Sequence, residues 1–190
     1  MIRLWVGPLA FMLAGQSMAG DVCSDLWFSR NLVFDQVGYC FSSSLGQAVF
    51  DNADCTTRSP VLDPEAQAFV AWVKKIENLE ECRVDTARDW LDIPLVEMRR
   101  QLRDRVAMSP FQSACIGWRG ATVALRSGHS EGDDVIGYVR FGDTIQWEYE
   151  SPITPSGWAF LTAKRRDGTT LAIGWSNAYI DPQYCDSLAG

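Results

Sequence analysis

Apolar residues recur at helical spacing through the first hundred positions, then give way to short alternating runs. Leu26, Phe28, Leu32, Val33, Phe34 and Val37 fall between Ser24 and Gly38 and give a helix over 24–37 a broad apolar surface. Ser24 suits its N-cap, Asp25 its first turn and Gly38 its left-handed stop. Ser44-x-x-Gln47 has the form of a capping box for a short second helix through Leu45, Ala48 and Val49. Asp63-Pro64-Glu65 is a cap, a first-turn proline and a first-turn acid. The long helix it opens runs to about Glu81 and carries Phe69, Trp72, Val73, Ile76 and Leu79 on one side. Asp92 and Pro94 start another helix, with Leu95, Met98 and Leu102 turned inward.

From about residue 115 the period falls to two. Val123–Arg126, 135–140, 144–150, 158–163 and 169–175 are β-type runs, punctuated by glycines, prolines and Asp167-Gly168. Asp-Gly between two such runs is a hairpin signal. Several short strands within about seventy residues suggest a small barrel or sandwich. The boundary lies between Ala107 and Ile116. The pattern therefore reads as α+β, with a helical part at 20–112 and an all-β part at 113–190.

The opening residues stand outside this pattern. Arg3, the apolar run from Leu4 to Gly15 and the small residues Ser17 and Ala19 read as a secretory signal peptide over 1–19. The run is short of the ~20 residues a spanning helix needs. Val22 before Cys23 does not fit a lipoprotein site. The expected destination is the periplasm or the extracellular space. Cleavage removes one arginine and no acid, so the net charge moves from −7 to −8. That acidity disfavours nucleic acid as a partner, and no later segment reads as integral to a membrane.

Six cysteines follow the leader: Cys23, Cys40, Cys55, Cys82, Cys115 and Cys185. None forms a Cys-x-x-Cys pair, so they read as three disulfides rather than a zinc site. A helix over 24–37 is about 21 Å long, which keeps Cys23 and Cys40 apart. If the next helix folds back, Cys55 returns to Cys23, and a third helix brings Cys82 to Cys40. The expected set is 23–55, 40–82 and 115–185.

Leu26-Trp27-Phe28-Ser29-Arg30-Asn31-Leu32-Val33-Phe34, continuing through Gly38-Tyr39-Cys40-Phe41 and Leu45 to Phe50, resembles the YARHG domain, a small extracytoplasmic bacterial domain of unclear function. The likeness covers roughly residues 23–55. At the namesake run this chain has Phe34-Asp35-Gln36-Val37-Gly38, keeping the aromatic and the glycine but lacking the arginine and histidine. No activity that needs those two residues carries over. Arg30, Asn31, Phe34, Gly38, Tyr39 and Phe41 read as structural, with Arg30 and Asn31 satisfying carbonyls or a cap. Residues 117–182 resemble a bacterial Src-homology-3-like barrel, through Val123-Ala124-Leu125-Arg126, Ile136-Gly137, Phe141-Gly142-Asp143, Gly157-Trp158-Ala159-Phe160 and Gly174-Trp175 with Tyr179-Ile180. That resemblance implies binding of cell-wall peptides or protein segments; a fold alone does not fix a ligand.

Candidate chemistry is sparse. The lone His129 sits among Glu131, Asp133 and Asp134. It reads as part of a solvated loop, with weak metal binding or general-base chemistry as the alternative. Arg99, Arg100, Arg103 and Arg105 read as cations on a solvated helix end, with an anion site as the alternative. Glu148 and Glu150 share a strand face if alternation holds, which raises a glycosidase arrangement. No Gly-x-Ser-x-Gly, zinc motif or phosphate loop is present, and no cofactor or metal is expected. Trp158 and Trp175 are expected in the core. Trp147 and Tyr149, with Trp118 and Tyr179, are the candidate groove for a peptide or sugar. The expected function is non-catalytic envelope-associated binding of a cell-wall peptide or glycan, or of another exported protein. The alternatives are a small hydrolase with a carboxylate site at the domain junction and a structural or inhibitory protein.

Overall fold

A computed structural model describes residues 19–190. The expected leader lies, but for Ala19, outside the described residues. Among those described, no helix is long and apolar enough to cross a membrane.

Helix α1 runs over Ala19–Asp35, so Ser24 and Asp25 sit inside it rather than at its start. Its far end is closed by Gly38 at φ 73°, where the backbone N–H of Tyr39 donates to Phe34 O at 3.0 Å. A Cβ at that glycine would strike the Thr56 hydroxyl. Helix α2 covers Ser44–Phe50, and its cap is Ser43, one residue earlier than the box suggests, accepting from Gly46 N. Helix α3 covers Pro64–Leu79, with Asp63 accepting from Ala66 N at 2.6 Å. The helix expected after Asp92 shrinks to one turn, α4, over Val96–Arg99. Its N-cap position is Leu95 at φ 58°, with no side-chain cap.

Seven strands form one antiparallel sheet in the order β3-β2-β6-β5-β4-β1-β7. They are β1 (Ala107–Ile116), β2 (Val123–Arg126), β3 (Val135–Val139), β4 (Thr144–Glu150), β5 (Ala159–Lys164), β6 (Thr170–Ser176) and β7 (Ser187–Ala189). The Asp167-Gly168 turn joins β5 to β6 as its sequence implies. The sheet is open, with β3 and β7 at its edges rather than paired in a barrel. A division at residue 113 would fall inside β1.

Both faces of the sheet are covered. Trp27, Phe28 and Leu32 of α1, with Phe50 of α2, pack with Phe160, Ile173 and Trp175 on one face. Leu125, Val139, Ile145 and Leu161 pack on the other. Between α1 and α3, Leu26 and Val33 meet Phe69, Val70 and Val73, along with Ala107 of β1. Burial of this kind stabilises by about 25 cal/mol per Å² of apolar area.

The disulfides join Cys23 to Cys82, Cys40 to Cys55 and Cys115 to Cys185, with Cα–Cα distances of 5.2, 4.9 and 5.3 Å. The third is the expected pair; 23–55 and 40–82 are corrected. The reason is the length of α2. Seven residues rise only about 10 Å, too little to return the chain to the start of α1, so Cys55 comes back to Cys40. A parallel bridge between Tyr39 and Thr57 marks this return. It is α3 that runs back along α1 and delivers Cys82 to Cys23.

Candidate functional site

The helical part and the sheet meet over a cavity of about 510 Å³ whose lining includes Asp25, Arg99, Glu148, Tyr149 and Lys164. Its floor is a buried polar triad. Asp25 is 1% exposed and Arg99 3%. Arg99 Nη2 lies 2.9 Å from Asp25 Oδ2 and donates to the Tyr149 hydroxyl, which in turn donates to Asp25 Oδ2 at 2.6 Å. Arg99 Nε donates to Pro94 O at 2.9 Å. Asp25 Oδ1 has no hydrogen-bond partner. Beside the triad, Lys164 Nζ pairs with Glu148 Oε2 at 2.8 Å, across β4 and β5.

These contacts set the protonation states. Burial works against the Arg99 charge, but the Asp25 carboxylate and the Tyr149 hydroxyl outweigh it and hold the guanidinium above its ordinary value. Burial raises the Tyr149 phenol well above 10, and the Asp25 charge pushes it the same way. The triad therefore carries one cation and one neutral phenol, both against Asp25 Oδ2. Removing either Asp25 or Arg99 leaves a buried charge without its partner.

The sequence-level candidates do not gather into a groove. Trp118 and Tyr149 are buried; Trp118 donates to Ala121 O and meets Tyr184 edge-on. Trp147 is half-buried against the sheet's second face, whereas Tyr149 packs with the helices on the first. Strict alternation puts these two together, but β4 departs from it. Its ladder to β5 stops at Gln146–Thr162, and Glu148 and Tyr149 are buried in succession. The same irregularity separates Glu148, which is buried, from Glu150, which is exposed. Tyr179 is 82% exposed.

The arginine run also divides. Arg99 is buried rather than solvated, whereas Arg103 pairs at the surface with Asp133 and Asp134. His129 is more fixed than a free loop residue. Its backbone N–H donates to Asp104 Oδ2 at 2.7 Å, and its ring meets Trp175 edge-on at 5.2 Å. Arg30 bridges α1 to Glu77 of α3 at 3.0 Å. Asn31 donates to Trp27 O at 2.7 Å within its own helix. Tyr39 stands edge-on to Phe41, which stacks on Phe50. The cavity residues Asp25, Arg99 and Lys164 were missed as a site. The available signal was an aspartate in the middle of an otherwise apolar helical stretch.

Taken together, this is an α+β protein in which disulfide-bonded helices roof an open antiparallel sheet over a charged cavity. Residues 9–78 match the YARHG domain, which encloses the resemblance at 23–55. Residues 81–190, more than half of the chain, match the Domain of unknown function (DUF4453), and the protein belongs to that family. No curated protein and no solved structure matches the chain. The two matched segments meet just after α3, well before β1 begins. Three disulfides fit an exported protein.

Proposed function

We propose that this is an exported, non-catalytic binding protein whose junction cavity holds a small polar ligand, a fragment of the cell wall. The supporting observation is the set of paired charges at one cavity between the helices and the sheet. Lys164, whose side chain keeps 20% of its surface open beside Glu148, suits a carboxylate, and the exposed Asp92 suits an amine. Cell-wall peptides carry both groups. The volume lies in the range of small-molecule sites. Export by cleavage of residues 1–19 to the periplasm or the extracellular space, and the likeness of the sheet to a Src-homology-3-like binding module, belong to the same proposal.

The test is calorimetric titration of the purified chain with muropeptides, with denatured exported proteins as the other arm. Muropeptide binding weakened at least tenfold by Lys164→Met supports the reading. No heat with muropeptides, or binding indifferent to Lys164→Met, overturns it. The hydrolase reading draws on the carboxylates Asp25 and Glu148 at the same cavity. It is the weaker, because a general acid needs a carboxyl free to carry and deliver a proton, and both are engaged with cations. Release of reducing ends from cell-wall glycan, lost in Glu148→Gln, would favour it instead.

A further inference from the structure

We propose that the groove between α3 and the bulged middle of β1 binds an extended segment of another polypeptide, with apolar side chains on one face and a basic residue beside them. The groove has a volume of about 410 Å³. Trp72, Ile76 and Leu79 of α3 face Met108 and Pro110 of β1 across it. Leu79 is 72% exposed and the neighbouring Phe111 82%. Those three α3 residues do not line the polar cavity, so the proposal does not rest on the ligand assigned there, although Val22, Met108 and Gln112 border both spaces.

The backbone gives a second, independent reason. The β1–β4 ladder jumps from Met108–Tyr149 to Ser113–Trp147, so Ser109–Gln112 lie outside it. On the opposite edge, β7 pairs only with Ala114, Cys115 and Ile116. The bulge therefore lies outside both ladders, and the Phe111 N–H turns inward to Ser109 Oγ at 3.1 Å. Strand β7 demonstrates antiparallel pairing on this edge. A visiting segment would extend that edge, donating to the bulge's carbonyls, since Pro110 has no N–H and that of Phe111 is engaged, and sending alternate side chains into the groove.

Charge selects the occupant. Glu80 and Glu150 line the groove against the single cation Lys75, and the whole chain carries −7. A basic residue next to the apolar ones complements both.

The experiment titrates the full oxidised chain with two capped synthetic hexapeptides, one alternating leucine with lysine, the other leucine with glutamate. Tryptophan fluorescence and the backbone amide shifts of Ser109, Phe111, Gln112 and Ser113 are the readouts. The lysine peptide is expected to bind at least tenfold tighter and to move those amides. Leu79→Glu, at an exposed position that the fold tolerates, weakens it at least tenfold. Glu150→Lys reverses the preference between the peptides. Lys164→Met, in the polar cavity, leaves peptide binding within twofold. Equal affinity for the two peptides overturns the proposal, as does indifference to Leu79→Glu. So does a dimer in sedimentation that Leu79→Glu dissociates, or uptake of oleate in place of peptide.

Discussion

Replacing Asp25 with alanine tests what holds the helices to the sheet. The substitution removes the carboxylate that sits 2.9 Å from Arg99 and leaves the guanidinium 3% exposed. Stripping one partner from a buried pair costs about 3–5 kcal/mol, because the remaining charge stays desolvated. In a chain of this length each kcal/mol moves the melting temperature by ~2–4 °C, so a fall of about 6–20 °C is expected. Tyr149→Phe keeps the ring and loses only the bridging hydroxyl, at about 1–2 kcal/mol. The informative variant is the double one. Asp25→Leu with Arg99→Met replaces the pair by apolar groups of similar size and should recover at least half of the single-site loss. Urea unfolding of the oxidised protein, followed by tryptophan fluorescence, measures all of these. The reasoning fails if Asp25→Ala costs under 1 kcal/mol, or if the double variant is no more stable than the sum of its two single changes implies.

Four further outcomes follow. Asp35, at the end of α1, has its carboxyl raised to about 6 by burial, against the opposing pull of Arg100. The folded state thus keeps a proton that the unfolded chain releases, and stability falls as pH rises from about 4 to 6. Asp35→Asn should gain ~1 kcal/mol at pH 7.5, a figure reduced for partial exposure. That gain should vanish near pH 3.5, and equal effects at both pH values would contradict it. Spectrophotometric titration at 295 nm should find one of the five tyrosines silent well past pH 10 until the protein unfolds, since Tyr149 is held neutral. For the same reason stability should decline above pH 10. A non-reduced peptide map should give 23–82, 40–55 and 115–185, and any Cys23–Cys55 peptide would count against the fold. Removing Cys115–Cys185, which closes a separation of 70 residues, should cost about 4 kcal/mol, against ~3 for the 15-residue Cys40–Cys55 loop.

What was legible in the chain was local. Asp63-Pro64 marks the start of α3, Gly38 ends α1's turn, and the five β-type runs lie within a residue or so of β2 to β6, because capping and pairing signals act within a few positions. Strand β1 was hidden by Pro110 and by the bulge that accommodates it, since proline inside a strand argues against one. The junction site was hidden for a different reason. Asp25 and Tyr149 are 124 residues apart, and neither carries a local mark of its partner. Alternation also misled at Trp147 and Tyr149, because it assumes an unbroken ladder. The first two disulfides turned on α2, which reads as short in the sequence and spans seven residues, too few to carry Cys55 back along α1 as the expected pairing requires.

The nested pairing of Cys23–Cys82 around Cys40–Cys55 has a consequence for biogenesis. If the chain is exported from its N-terminus, as proposed, Cys40 is the first thiol to reach the oxidising side after Cys23, and Cys82 is the last of the four. Oxidation in that order would join Cys23 to Cys40 and would then have to be undone by thiol exchange. Helix α1 prevents this if it forms early, since the twelve residues from Cys23 to Asp35 hold roughly 18 Å of rigid spacing between thiols that must not meet. A helix that forms early would thus serve as a spacer during maturation as well as a wall of the core. A change that loosens α1 should therefore surface first as scrambled protein and lower yield, before any drop in the stability of the molecules that do mature.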